Sequence, residues 1–484
     1  MKRLILALLA VVVLLAAIVL YRAATVESRQ IAAAPAPPVA IDRDAAVQRL
    51  ARAVQYRTVS HGKNVAGVAE HDPFVSWLPT AYPRVHASLQ REIVNGRSLL
   101  YTWKGTDPKL APVLLMGHYD VVPVEPGTES KWTRPPFSGL VEGGYVWGRG
   151  TLDDKSTVIG ILEAAELLLA QNWTPKRTLL FAFGHDEEQG GEEGAAKIAA
   201  LLQSRGVKLD AVLDEGGVIS TGIAPGIHKP VALVGIAEKG IVSLELVAHG
   251  QGGHSSMPPQ RTEIGAIATA VDRLQSRPFD GGVRGAAKHM FDWLTPEQSF
   301  GTRLITANLW LFEPLLKLQS KRSNTLNAMI RTTIAPTMID GGVKDNVIPS
   351  RASAVVNFRI LPGDTVDGVS KHVREAIGNE SIDVNVYGGF AQEPSQVSDP
   401  GAPQFRALQK TIGQIAPDVV VAPYLVVGAT DARYYQPLSP NVYRFIPIRI
   451  RPGDLERVHG TNERVAIDDF ITAIRFYRQL MMNV

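Results

Sequence analysis

The sequence predicts an α/β fold, with a mostly parallel sheet sandwiched between helices in a catalytic domain and a smaller α+β domain inserted into it. Three observations predict this. Short apolar runs alternate with periodic helical stretches over residues 45–236, the pattern of strand–helix–strand units. Near Ala237 the pattern changes to alternating, half-buried strands with one helix. After residue 348 the strand–helix alternation resumes.

The elements follow in order. Residues 1–24 contain an uninterrupted apolar run of 17, Leu4 to Leu20, behind Lys2 and Arg3. A bilayer-spanning helix needs about 17–25 such residues, and a signal peptide core about 7–15. The segment is therefore expected to be an uncleaved membrane anchor, or alternatively a cleaved signal. The basic pair places the N-terminus in the cytoplasm and the catalytic part outside it, periplasmic or extracellular. Residues 25–44 include "IAAAPAPPVA", an Ala/Pro linker expected to stay extended. "IDRDAAVQRLARAVQYRTVS" then opens the folded part as a helix.

"APVLLMGHYDVVPV" holds a buried strand, "LDDKSTVIGILEAAELLLAQ" a helix, "RTLLFAFGHDEEQGG" a second strand and "LDAVLDEGG" a third. The inserted domain is placed at 237–347, from the strand "KGIVSLELVAHG" and the helix "TEIGAIATAVDRLQS" onward; no role is legible for residues 276–300. Residues 348–484 return to the catalytic domain.

Composition narrows the function. Lys plus Arg is 50 and Asp plus Glu is 47, a net of +3; no concentrated basic footprint points to nucleic acid. Cysteine is absent, which excludes disulfides, cysteine nucleophiles and thiolate metal sites. Any metal must be held by His, Asp or Glu.

Four polar clusters, "GHYD" (117–120), "LDD" (152–154), "HDEE" (185–188) and "LDEGG" (213–217), follow apolar runs or glycine turns. Singly each is ordinary: a lone histidine is usually hydrogen-bonded, and a lone glutamate solvated. Together at the carboxyl ends of parallel strands they share one crevice. Carboxylates converging there repel one another unless cations intervene, and two divalent ions sharing a carboxylate resolve the conflict. Nitrogen and oxygen donors suit zinc, with manganese or cobalt as substitutes. His118 and Asp120, two apart on extended chain, leave on one face, so Asp120 can accept the ring N–H turned away from a metal. Of the adjacent Glu187 and Glu188, one can bind metal while the other serves as a base.

The chain resembles the dinuclear zinc aminoacylase and carboxypeptidase family of metallopeptidases, which includes succinyl-diaminopimelate desuccinylases and carnosine-type dipeptidases. The resemblance rests on "GHYDVVPV", "WGRGTLDDKS", "HDEEQGG", "LDEGG", "GGHSSMPP", "NVIPSRASAVVNFRILPGD", "VGATDAR" and "VHGTNERV", in that order. It is strongest to the long, anchored or secreted members of the carboxypeptidase S type. The resemblance implies two zinc ions, one held by His118 and Glu215, the other by Glu188 and His459, with Asp153 bridging. It favours Glu215 over the adjacent Asp214. It implies Glu187 as general base, Asp120 as orienter of His118, a cis peptide at Asp153–Asp154, and His254 as an oxyanion-stabilising group supplied by a lid and dimer domain. Asn346, Arg359 and Gly428 would bind substrate, Arg359 through its two-pronged fork. Ala429 stands where relatives usually carry a second glycine, which leaves the pocket shape there open. The expected reaction is hydrolysis of the amide bond of an N-acyl amino acid or short peptide with a free carboxylate, by a water shared between the metals. A non-catalytic membrane-tethered binding protein and a two-metal phosphoesterase are the alternatives. The expected partners are thus a small-molecule substrate, a membrane through the N-terminal segment, and a second copy through the inserted domain, with no nucleic acid.

Overall fold

The structure is a computed structural model that describes residues 1–60, 71–223, 225–451 and 453–484. It begins with helix α1, Lys2–Thr25. The main sheet then takes strands β1 (Gln90–Val94), β2 (Ser98–Trp103), β3 (Val113–His118), β4 (Leu179–Gly184), β5 (Ala211–Asp214) and β6 (Val231–Glu238). A second sheet takes β7 (Gly240–His249), β8 (Thr333–Gly341), β9 (Arg351–Ile360) and β10 (Ile382–Gln392). The chain returns to the main sheet with β11 (Val420–Val426) and β12 (Val442–Arg444). The helices used below are α2 (Lys155–Ala170), α3 (Gly285–Leu294), α4 (Phe300–Thr306), α5 (Leu309–Ser320) and α6 (Ile467–Asn483).

Among the described residues the main sheet has ten strands, in the order β1-β2-β4-β3-β5-β12-β6 followed by two short edge pieces, with β11 paired to β6. Its centre is parallel: β3 runs with β4 and β5, and β5 with β12. The margins are antiparallel, at β1–β2 and β2–β4. All six residues of β3 and of β4 are buried, which is why both read as unbroken apolar runs rather than alternations. Helix α2 is apolar on nearly every face and lies under this sheet against α6. Gly160 permits the approach, since a Cβ there would lie 3.3 Å from the Tyr477 ring. Helix Arg43–Gln55 opens the folded part as expected, and the Asp42 side chain caps it through Ala45 N–H at 3.1 Å.

The four-stranded sheet, β8-β9-β7-β10, is wholly antiparallel and packs its apolar face on two helices, Glu263–Ser276 and Val366–Ile377. Its strands correct the expected boundary at 347. Both β9 and β10 lie beyond it and pair with β7 in register, His249 opposite Arg351 and Ala248 opposite Ile382. Helix α3 corrects the opposite error. It falls inside the segment assigned to the insertion, yet Ala286, Met290 and Trp293 belong to the main core. The Trp293 ring meets Phe405 edge-on at 5.2 Å.

The Ala/Pro linker lies against the body of the protein. The Gln30 side-chain amide donates to the Val421 carbonyl and accepts from Val421 N–H, both at 2.9 Å. Gln409 donates to the Arg29 carbonyl at 3.0 Å, and Ala36 N–H to the Gln414 carbonyl at 3.0 Å. Helix α1 stands out from the body with its apolar side chains exposed, and its length and composition suit either a bilayer span or a signal sequence.

If α3 is part of the main core, Trp293→Ala should destabilise the full chain by about 3–5 kcal/mol, the usual cost of emptying a buried aromatic site. Urea unfolding should show this as a lowered midpoint in the main transition.

Candidate active site

The parallel centre of the sheet delivers the polar clusters to one edge. His118 closes β3 in register with Gly184, the last residue of β4, and Asp214 closes β5. The segments 185–188 and 215–217 therefore emerge beside His118. Asp153 comes from the other side, on the turn that leads into α2, and the Asp153–Asp154 peptide is cis. His459 reaches in from a late loop at a left-handed φ of 60°.

The resulting geometry is a chain of five side chains centred on Asp153. Its Oδ1 lies 2.9 Å from His118 Nε2, and its Oδ2 lies 3.0 Å from His459 Nε2. Glu215 Oε1 is 3.9 Å from His118 Nε2, and Glu188 Oε1 is 3.2 Å from His459 Nε2. His118, Asp153 and Glu215 form one group with donor atoms within 4.8 Å of one another, and Asp153, Glu188 and His459 form a second. Asp153 belongs to both and offers each a different oxygen.

Asp120 is fully buried behind His118. The ring Nδ1 lies 3.2 Å from its carboxylate and 3.1 Å from its backbone carbonyl. The same carboxylate accepts from the backbone N–H groups of Glu187 and Glu188, each at 3.2 Å, and from the Ser60 hydroxyl at 2.6 Å. One buried acid thus fixes both the imidazole and the two-glutamate turn.

The electrostatics follow from crowding. Burial raises the pKa of Glu187 and Glu215 well above the usual carboxylate range; neighbouring carboxylates push the same way, and His118 opposes them. His459 is pushed up to about 10 by its hydrogen bonds to Asp153 and Glu188. For His118, burial works against the charged form, but Asp120 and Asp153 outweigh it and raise its pKa. Without metal these groups hold protons to offset their mutual repulsion.

Some expected residues lie apart from this chain of five. His254 sits on a two-residue strand opposite Val347, and its ring bonds to the Ser256 hydroxyl at 2.8 Å rather than to any member of the cluster. The Asn346 carbonyl accepts from Ser255 N–H at 3.2 Å, so Asn346 and His254 are neighbours. Arg359 is half-buried on β9, opposite Ile241 and Thr333. A Cβ on Gly428 would meet nothing within 4 Å, so that turn faces open space.

Several supporting residues escaped the sequence reading. Ser60 gave no signal. Glu463, inside the quoted "VHGTNERV", is fully buried and accepts from Leu152 N–H at 2.8 Å, Asp153 N–H at 3.3 Å and Arg149 at 2.7 Å. Tyr434 O–H donates to the Gly190 carbonyl at 2.6 Å, and the Arg433 guanidinium bonds the same oxygen. Asp431 packs beneath Gly191, where a Cβ would lie 1.9 Å from its Oδ1.

Residues 114–483 match the Peptidase family M20/M25/M40. The chain is 40% identical over 442 residues to probable carboxypeptidase S-like 2 of Dictyostelium discoideum, covering 90% of this chain and 84% of that one. It is also 40% identical over 448 residues to the N-fatty-acyl-amino acid synthase/hydrolase PM20D1 of Mus musculus, covering 91% and 88%. Carboxypeptidase S of Saccharomyces cerevisiae is 32% identical, covering 91% and 84%. Among solved structures, the metallo-carboxypeptidase Sso-CP2 of Sulfolobus solfataricus superposes with a TM-score of 0.65 at 19% identity, covering 90% and 98%. The fold and the paired donor groups define a metal-dependent hydrolase. This chain belongs to the M20 family, with chemistry of the carboxypeptidase and aminoacylase type.

The donor set fits two zinc ions, or manganese or cobalt in their place. Each group joins one imidazole, one glutamate and the shared aspartate, and Glu188 Oε1 lies 3.2 Å from His459 Nε2. Metal must displace the protons these side chains otherwise hold. Zinc titration of the metal-free chain should therefore saturate near two equivalents and release protons. Calorimetry near pH 7 in buffers of different ionisation enthalpy would read that release; a heat independent of buffer would contradict the raised pKa of His459.

Proposed function

We propose that this chain hydrolyses the amide bond of N-acyl amino acids, or of short peptides, that carry a free carboxylate. The observation that carries this is the Asp153 carboxylate set between two histidine–glutamate pairs, with Glu187 next to it on the same turn as Glu188.

In this reading His118, Glu215 and Asp153 hold one zinc ion, and Asp153, Glu188 and His459 the other. The metal pair supplies concentrated positive charge that acidifies water and polarises the scissile carbonyl. Asp120 fixes the tautomer and direction of His118 by accepting at Nδ1. Glu187 is a base of raised pKa, suited to take a proton from the attacking water and return it to the leaving amine. Arg359, with Asn346, grips the substrate carboxylate, while the Gly428 turn lets the substrate backbone approach closely. His254 donates to the oxyanion as the β7–β10 layer closes over the site as a lid, and a second copy joined through that layer is a natural source of that histidine.

The names of the relatives, carboxypeptidase S and an N-fatty-acyl-amino acid synthase/hydrolase, support a substrate with an acyl group on one side and an amino-acid carboxylate on the other. Helix α1 serves in this reading as an anchor that keeps the catalytic part outside the cytoplasm. Lys2 and Arg3 ahead of the apolar run support that orientation.

Glu187→Ala should lower kcat by about 10²–10⁴-fold, the usual worth of a positioned acid–base group, with metal content unchanged. Metal analysis beside the rate assay would expose a structural ligand instead, since metal and activity would then fall together. Arg359→Ala should act chiefly through KM on carboxylate substrates, and the preference for a free carboxylate over its amide should collapse. A panel of acyl lengths on one amino acid would define the acyl side.

A further inference from the structure

Helix α5 is apolar on its exposed face as well as on its buried one. Trp310, Leu311, Pro314, Leu315 and Leu318 share one face, within an arc of about 140° at 100° per residue. That face is exposed: Trp310 and Leu315 are each 51% exposed and Leu318 60%. The charged residues Glu313 and Lys317 lie beside this face and are half-exposed. Lys317 bonds Asp280 at 3.3 Å and lies 3.6 Å from Glu313. A surface helix in water carries polar residues on its exposed face, and exposed apolar patches of this kind mark an interaction surface.

The patch is joined to α1. Helix α4 packs against α1, and Phe300 and Ile305 on α4 are exposed too. Asn308, fully buried between α4 and α5, donates its side-chain N–H to the Val19 carbonyl at 3.0 Å. The Trp310 indole in turn donates to Asn308 Oδ1 at 3.2 Å. Val19 lies within the apolar run that ends at Leu20. A helix rises 1.5 Å per residue, so a bilayer holding that run has its outer edge within a few ångströms of Asn308. Helix α5 starts at that level. Arg22 at the end of α1, with Lys321 and Arg322 just beyond α5, are exposed where phosphate headgroups would lie.

We propose that α4 and α5 lie in the interface of the bilayer that α1 spans, their apolar face sunk among the acyl chains. The body is thereby seated on lipid at two places, a spanning helix and an in-plane one. This rests on reading α1 as an anchor.

The test uses the full chain in vesicles of phosphatidylcholine and phosphatidylglycerol. The sequence has no cysteine, so Leu315→Cys, Leu318→Cys, Leu9→Cys on α1 and Ile93→Cys on the distant strand β1 each give one labelling site for an environment-sensitive fluorophore. Hydrolysis by each variant verifies its fold. Labels at 315 and 318 should shift to the blue and be quenched by nitroxide lipids, as should the label at 9, with no effect at 93. Quenching at 9 without quenching at 315 and 318 overturns the proposal and leaves the anchor intact. Absence of quenching at all positions overturns both. A blue shift at 315 without lipid quenching means that a second copy covers the patch, which also overturns it. If the N-terminal segment is removed by processing, the anchor reading falls and the proposal falls with it, whether or not 315 and 318 are quenched.

Discussion

The site depends on one carboxylate facing two ways. Asp153 can present one oxygen to His118 and the other to His459 only if its turn is held between the end of β3 and the late loop. Leu152 packs that turn into the main core. Glu463 holds the turn as well, accepting from two backbone N–H groups and from Arg149. A buried charge is tolerated when its lone pairs are filled in this way. The loop that carries His459 thus also carries the acid that fixes the position of Asp153, and the two cannot be displaced independently.

A second set of bonds couples the remaining loops. Arg433 and Tyr434 tie the two-glutamate turn to the 427–431 turn through the Gly190 carbonyl. Thr430 bonds Glu238, its N–H at 2.9 Å, and Glu238 pairs with Arg444 at 3.0 Å where neither is exposed. Asp120 couples the same glutamate turn to His118. The expected base, the metal-binding candidates and the glycine turn are held in one continuous polar frame around the strand ends, in keeping with a site whose geometry must be fixed before substrate arrives.

Much of this was legible in the sequence for identifiable reasons. Buried parallel strands show as apolar runs, and a histidine or acid straight after such a run falls at the strand's carboxyl end; the clusters at 117–120, 185–188 and 213–217 were placed at one edge that way, while the choice of Glu215 over Asp214 came from family resemblance. The cis peptide and the proposed division of labour between Glu187 and Glu188 came from family resemblance, because no periodicity encodes them. Ser60 could not be read, since its partner Asp120 is close only in space. The boundary at 347 failed because an alternating strand looks the same in either sheet. Helix α3 failed similarly: periodicity marks which face is apolar but not which core receives it. The exposed apolar face of α5 is not legible from periodicity, because the helix is apolar on both sides.

The bonds that fix residues 29–36 to the body change what the N-terminal segment can do. A loose leash would let a catalytic head sweep a hemisphere, its reach set by chain entropy. With Gln30 paired both ways to Val421, the segment behaves as a splint. In the proposed reading of α1 as an anchor, its tilt then dictates the heading of the catalytic mouth, so the enzyme would sample a narrow shell of its surroundings from a set bearing.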